Sequence, residues 1–240
     1  MPGLVEDFTG RLGWAIAKVN ILVEGTHDVF LITHAARLYR SAHGVELLGP
    51  DLTVMPAGLG NEGGVEGINR RLPTLRQVAA ADPDQSGKLR YRFLGLYDND
   101  VAGQRAIAAI SSYDATIKKY SEVFLLCPVM SLKGGADHRA VQQRFERDNE
   151  PYRGLDWEME DLIDPTFLDL FEGEFPTAVR RRTTILDRTH RDFTEQGKRD
   201  LVKFVQEHAT LDDLSDVIRL IRALRDYGHL QSDHIIVRPS

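Results

Sequence analysis

The chain has 240 residues, is 42% hydrophobic and 28% charged, and carries a net charge of −6. That length suits one large domain or a domain with an appendage, and the apolar share is enough for a sizeable core. The acidic balance speaks against broad non-specific nucleic-acid binding, no run approaches the ~18 apolar residues of a membrane span, and a single cysteine, Cys127, excludes a disulfide framework or a cysteine-rich zinc site within one chain.

The first residues lack a basic stretch followed by an apolar one, so no signal peptide is read and a reducing cytoplasm is expected. Residues 1–18 form a short amphipathic lead-in with Leu12, Trp14 and Ile16. Ile21 to Val23 is a continuous apolar run, as expected of a strand buried on both faces. From His27 the pattern turns helical through Val29, Phe30, Ile32, Ala36 and Leu38, until Gly44 and Gly49-Pro50 punctuate it. Leu52 to Met55 reads as a second strand, Gly58 to Gly64 as a flexible loop, and Val65 to Ala81 as a helix. A turn over residues 82–87 precedes a third strand, Phe93 to Tyr97, and a helix, Ala102 to Ile110. Val123 to Cys127 is the fourth strand. Strands alternating with helices imply a parallel sheet with right-handed crossovers.

After Pro128 the character changes. Residues 131–191 are polar and mixed, with few clear periods. Two amphipathic helices follow from Thr194, one carrying Leu201, Val202, Phe204 and Val205, the next Leu214, Val217, Ile218, Ile221 and Leu224. The expected organisation is an α/β unit over residues 1–130 and a mixed, then mostly helical region over 131–240 that completes the site. No internal repeat and no Gly-x-x-x-x-Gly-Lys loop occurs, so ATP hydrolysis would need another chain.

Two segments carry the chemistry. The first is Val19-Asn-Ile-Leu-Val-Glu24-Gly25-Thr-His-Asp28. The second is Phe93-Leu-Gly-Leu-Tyr-Asp98-Asn99-Asp100-Val-Ala102-Gly103. Each is a β-prone run that ends in carboxylates and passes into a helix. Adjacent parallel strands bring such carboxylates to one sheet edge, where open α/β folds bind ligands. Hard oxygen ligands without Cys or His favour Mg²⁺ or Mn²⁺ over zinc. Asp98 and Asp100 would share a face of a continuing strand, and Asp100 could also cap the next helix, since one side chain can cap and ligate at different oxygens. Asp28 lies one turn from Glu24 and either faces the same site or stands as a solvated first-turn acid. Gly25 suits a close backbone approach at the turn.

The two segments resemble the Toprim domain, whose hallmark is a Glu-Gly after the first strand and an Asp-x-Asp after a later one. Glu24-Gly25 and Asp98-Asn99-Asp100 match it, and the resemblance covers roughly residues 18–130. It implies a Rossmann-like catalytic domain with a central parallel sheet. Within that family the chain looks most like the OLD-like nucleases. These carry a further acidic pair beyond the Asp-x-Asp strand and a Gly-Lys ahead of an apolar helix. Glu160-Asp161 matches the first element, with Glu158 the second choice, and Gly197-Lys198 matches the second. The implied activity is hydrolysis of DNA or RNA phosphodiesters with two Mg²⁺ or Mn²⁺ ions. Glu24, Asp28, Asp98, Asp100, Glu160 and Asp161 would hold the metal, Glu24 and Asp98 would act directly in catalysis, and Lys198 would neutralise charge on the phosphate. OLD-like nucleases imply a part in bacterial anti-phage defence beside an ATPase, here a separate protein. A homo-oligomer is left open, and no membrane partner is expected.

Two alternatives stand beside this. A non-catalytic Toprim module, as in recombination mediators, would scaffold nucleic acid and protein. Strand-Asp-x-Asp-Val also looks like the nucleophile motif of haloacid-dehalogenase-type phosphatases, although that motif sits on the family's first strand. Two softer features are Arg180-Arg181-Arg182, read as a solvated turn or a backbone-tracking run, and Ser131-Leu-Lys133-Gly-Gly, read as a phosphate cradle or a plain loop. The eight His residues show no ligand spacing.

Overall fold

The computed structural model describes residues 3–58 and 63–231, and the backbone of 234–235; residues 59–62 of the expected glycine-rich loop lie outside the described residues. Helix α1 (Leu4–Arg11) leads into strand β1 (Val19–Val23), helix α2 (Thr26–His43), the short β2 (Val45–Glu46), β3 (Leu52–Pro56) and α3 (Gly64–Ala80). Then come β4 (Arg92–Tyr97), α4 (Val101–Ala109), β5 (Val123–Leu125) and α5 (His138–Asn149). The chain ends with α6 (Pro165–Glu174), β6 (Val179–Ile185), β7 (Arg188–Phe193), α7 (Glu195–His208), α8 (Ser215–Tyr227) and β8 (His234–Ile235).

Four strands form one parallel sheet in the order β3-β1-β4-β5. Central β1 is buried at every residue, which is why its sequence is an unbroken apolar run. Its side chains alternate between two cores. Val19, Ile21 and Val23 pack with α2, α7 and α8, and Leu22 packs with α1, α3 and α4. Asn20 interrupts the run at no cost in unpaired groups: its amide donates to the Ala17 and Arg92 carbonyls and accepts from Ala17 N. Gly44 closes α2 in the left-handed conformation (φ 66°), donating to the Arg40 carbonyl at 2.8 Å.

The order of the strands decides where a ligand sits. From β1 the chain crosses to β3 on one side, then returns past β1 to β4 on the other. Strand order therefore reverses between β1 and β4, and the crevice beyond their C-terminal ends is the usual binding place in open α/β sheets. Glu24 follows β1 and Asp98 follows β4.

Residues beyond 130 share the sheet's core. Trp157, Leu162, Phe171, Leu201, Ile221 and Leu224 belong to the same buried cluster as Ile21 and Leu31. This region is less helical than its sequence suggests. Strands β6 and β7 form an antiparallel hairpin. The hairpin hides in the sequence because β6 exposes Arg180, Arg181 and Arg182 and so shows no apolar alternation. Its turn also uses Leu186 at φ 54°, where glycine or asparagine would advertise it. The three arginines are thus on a strand, not in a turn, and Arg180 and Arg182 pair with Asp192 and Glu172. Strand β5 is also shorter than expected, ending at Leu125. Among the described residues no helix is long and apolar enough to cross a membrane.

Candidate metal and phosphate site

Glu24 leaves β1 at the sheet's C-terminal edge and reaches across to β4, where its Oε1 accepts the Asp98 backbone N–H at 3.0 Å. Asp28 turns back over the start of α2, accepting Gly25 N–H at 2.8 Å. Next to this edge lies the segment Trp157–Leu162. It is fastened there by a two-way backbone bridge, Asn99 N to Trp157 O at 2.8 Å and Trp157 N to Asn99 O at 3.2 Å. This bridge carries Glu158 and Glu160 to the acidic edge. Lys198 arrives from the first turn of α7, its Nζ 2.8 Å from Glu158 Oε2 and 3.2 Å from Glu160 Oε1.

Glu24, Gly25, Asp28, Asp98, Glu160 and Lys198 line one pocket of about 270 Å³. Burial, together with the crowd of carboxylates, raises the proton affinity of the acids here. Burial, then the charges of Asp28, Asp100 and Glu158, outweigh the Asp98 hydrogen bond and push the Glu24 carboxyl up to about 7. Asp28 is likewise pushed up to about 7, by burial and then by Glu160. Burial, Asp28 and Glu24 raise Asp98 well above the usual carboxylate range. Burial also raises Glu158, against the pull of Lys198. Burial disfavours the Lys198 ammonium, but Glu160 and Glu158 more than offset it and hold the lysine charged. One carboxylate oxygen, Glu160 Oε2, is buried without a hydrogen-bond partner among the described residues.

Two expected ligands stand aside from this pocket. Strand β4 ends at Tyr97, so Asp100 is not on a continuing strand facing Asp98. It caps α4 through Oδ1, which accepts Gly103 N–H at 2.7 Å, and its charge raises Glu24. Asp161 points the other way. Its carboxylate lies 2.7 Å from His190 Nδ1 and accepts the backbone N–H groups of Arg191 at 3.0 Å and Glu158 at 2.9 Å. It braces the acidic turn against β7. Glu158, ranked second by sequence, pairs with Lys198 alongside Glu160. Its signal was the alternation Trp157-Glu158-Met159-Glu160: the apolar pair is buried, and both glutamates reach Lys198. His27 and Glu195 also line the pocket, and nothing in their spacing announces it.

Ser131 and Lys133 form no phosphate cradle. Ser131 donates to Asp148 at 2.8 Å. The Lys133 ammonium is buried between Phe124 and Tyr227 and donates to the Ser121 carbonyl at 3.2 Å.

The glycines differ in what they do. A Cβ on Gly25 meets no atom closer than 3.9 Å, so this glycine opens the pocket floor instead of easing a crowded turn. Gly103 and Gly197 are crowded. A Cβ there would drive into the backbone of Asp98 and of Ala178 respectively. Gly103→Ala and Gly197→Ala are each expected to lower stability by about 1–3 kcal/mol, the usual cost of overpacking, read as a lower urea midpoint at unchanged m-value. A midpoint within error of wild type in both would show that these helix starts are not fixed by close packing.

No protein-family model, curated protein or solved structure matches the chain. Among the described residues no three His, Cys, Asp or Glu side chains meet as a ready-made ion cage. The donor set nevertheless suits a hard divalent cation: several carboxylates lie at one edge, and Glu160 has a bare buried oxygen.

Proposed function

We propose that this protein is a Toprim-type, divalent-cation-dependent nuclease, closest in kind to the OLD-like nucleases. The observation that carries the reading is the convergence of Glu24, Asp28, Asp98, Glu160 and Lys198 on one pocket at the switch point of a parallel sheet. Glu24, Asp28, Asp98 and Glu160 would hold Mg²⁺ or Mn²⁺, with Asp100 adding charge from behind. When bound, the ions would lower the pKa of an attacking water and offset charge on the phosphate.

The chain's own residues supply the rest. Lys198 is kept charged and stands at the pocket, suited to a phosphate oxygen as negative charge grows on it. Glu158 fixes that lysine, and Asp161 with His190 fixes Glu158. Water adds to phosphorus, the bond to one bridging oxygen breaks, and the products are a phosphate monoester and a free hydroxyl. A separate ATPase as partner and a role in anti-phage defence belong to the same proposal and rest on the likeness to OLD-like nucleases. The phosphatase alternative loses ground, because the Asp98 motif follows the third strand of the sheet in chain order and Asp100 is engaged as a helix cap.

The test is incubation of the pure protein with labelled DNA and RNA panels in Mg²⁺, Mn²⁺ or EDTA. Cleavage is expected with either metal, and none above background in EDTA or with Glu24→Gln. Full activity of Glu24→Gln, with contaminating nuclease excluded, would move the function to the scaffold reading.

A further inference from the structure

The pocket contains more negative groups than it neutralises, and its one lysine is already engaged. Lys198 Nζ lies between Glu158 Oε2 (2.8 Å) and Glu160 Oε1 (3.2 Å). Its side chain keeps only 24% of its exposure. Glu160 is 3% exposed, and its second oxygen, Oε2, has no partner among the described residues. A buried carboxylate with one oxygen on an ammonium and the other bare is incompletely satisfied. Its bare oxygen is a hard donor offered to the pocket.

A divalent cation binds carboxylate oxygens at ~2.1 Å when it is Mg²⁺. Seated on Glu160, it would stand within a few ångströms of the Lys198 ammonium, in a pocket partly shielded from water. Two cations on one carboxylate at that range repel strongly. Glu158, already the nearer partner at 2.8 Å, would keep the lysine at the pocket's rim when it leaves Glu160.

Resting on the cation-dependent reading above, we propose that Lys198 is the built-in counter-ion of Glu160 and that an incoming divalent cation displaces it. The ammonium is then free to meet a phosphate only after the cation is seated. In the empty site Lys198 stays held on Glu160 and Glu158, and loading the cation also arms the lysine. This gives Lys198 a role toward the metal that its sequence context does not suggest.

The experiment is calorimetric titration of the full chain with Mn²⁺ and Mg²⁺, comparing wild type with Lys198→Met and with Arg199→Gln. Arg199 neighbours Lys198 but bonds to Gln196, so it controls for simple loss of positive charge. Lys198→Met is expected to bind the cation at least about tenfold more tightly than wild type, with Arg199→Gln within about twofold, because only the former removes a competitor. In ¹⁵N-lysine-labelled wild type, the Lys198 ammonium signal, assigned by its loss in Lys198→Arg, is expected to shift on Mg²⁺ addition. Clear binding by wild type with unchanged affinity in Lys198→Met, or an unmoved ammonium signal at saturation, overturns the displacement and leaves the cation site standing. If Lys198→Met does not fold, the wild-type signal decides. No cation binding by wild type or variant removes the site itself, and the nuclease reading falls with it.

Discussion

Asp98→Asn is expected to make the cation-free protein more stable at pH 8 and to abolish its cleavage of nucleic acid. The two effects have one cause. Among the described residues nothing donates a hydrogen bond to the Asp98 carboxylate, and it is partly buried beside Asp28, Glu24, Glu160 and Glu158. Ionising it there costs free energy that an amide of the same shape does not pay. Relief on the order of 1–2 kcal/mol corresponds to a melting temperature higher by roughly 2–8 °C for a chain of this length. The same substitution removes a ligand oxygen, so cation affinity should fall at least about tenfold, as for loss of a direct ligand interaction. A purely structural aspartate would behave oppositely. A lower melting temperature with intact cleavage would show that Asp98 holds the fold and not the cation.

The second large effect is the dependence of stability on pH and on cation. Glu24 and Asp28 rise from ordinary values of 4.5 and 3.8 to about 7. For both, burial is the first cause. An acid whose proton affinity is raised by folding keeps the folded state better protonated than the unfolded chain between those values. Stability therefore falls as pH rises through that window, and the penalty is complete above about 7. In EDTA the melting temperature should drop by several degrees between pH 5.5 and 8, and Glu24→Gln should flatten that slope. Divalent cation should reverse the order at pH 8, since a ligand at 100 times its Kd adds about 2.7 kcal/mol to the native state. A flat profile in EDTA, unchanged by Glu24→Gln, would mean that the acidic edge is already neutralised by the protein.

The parts of this arrangement that were legible in the sequence are those that local pattern controls. An apolar run such as Ile21 to Val23, followed at once by Glu24 and a helical period, can be a strand end and little else. The same is true of Phe93 to Tyr97 before Asp98. Lys198 stood out because glycine, lysine and an apolar stripe occur together, and Gly197 has a packing reason to be there.

What stayed hidden depends on contacts between distant segments. The Asn99–Trp157 bridge joins residues far apart in sequence, and it helps bring Glu158 and Glu160 to the sheet edge. Asp161, adjacent to Glu160, turns away because His190 and the Arg191 amide draw it to β7, a strand with no apolar alternation to announce it. Asp100 was readable as a cap that could also ligate, and with β4 ending at Tyr97 its Oδ1 caps α4. Lys133 was read as part of a phosphate cradle or a plain loop, but its ammonium lies against the rings of Phe124 and Tyr227.

The most direct test of the account is anomalous diffraction from crystals of the wild-type protein soaked in Mn²⁺. The account predicts a Mn²⁺ peak in the pocket at the β1–β4 edge, with oxygens of Glu24, Asp98 and Glu160 among its ligands at roughly 2.2 Å, a distance typical of hard cations on carboxylates. Mn²⁺ bound elsewhere on the chain, with this pocket empty and Lys198 still seated on Glu160 at saturating cation, would contradict it.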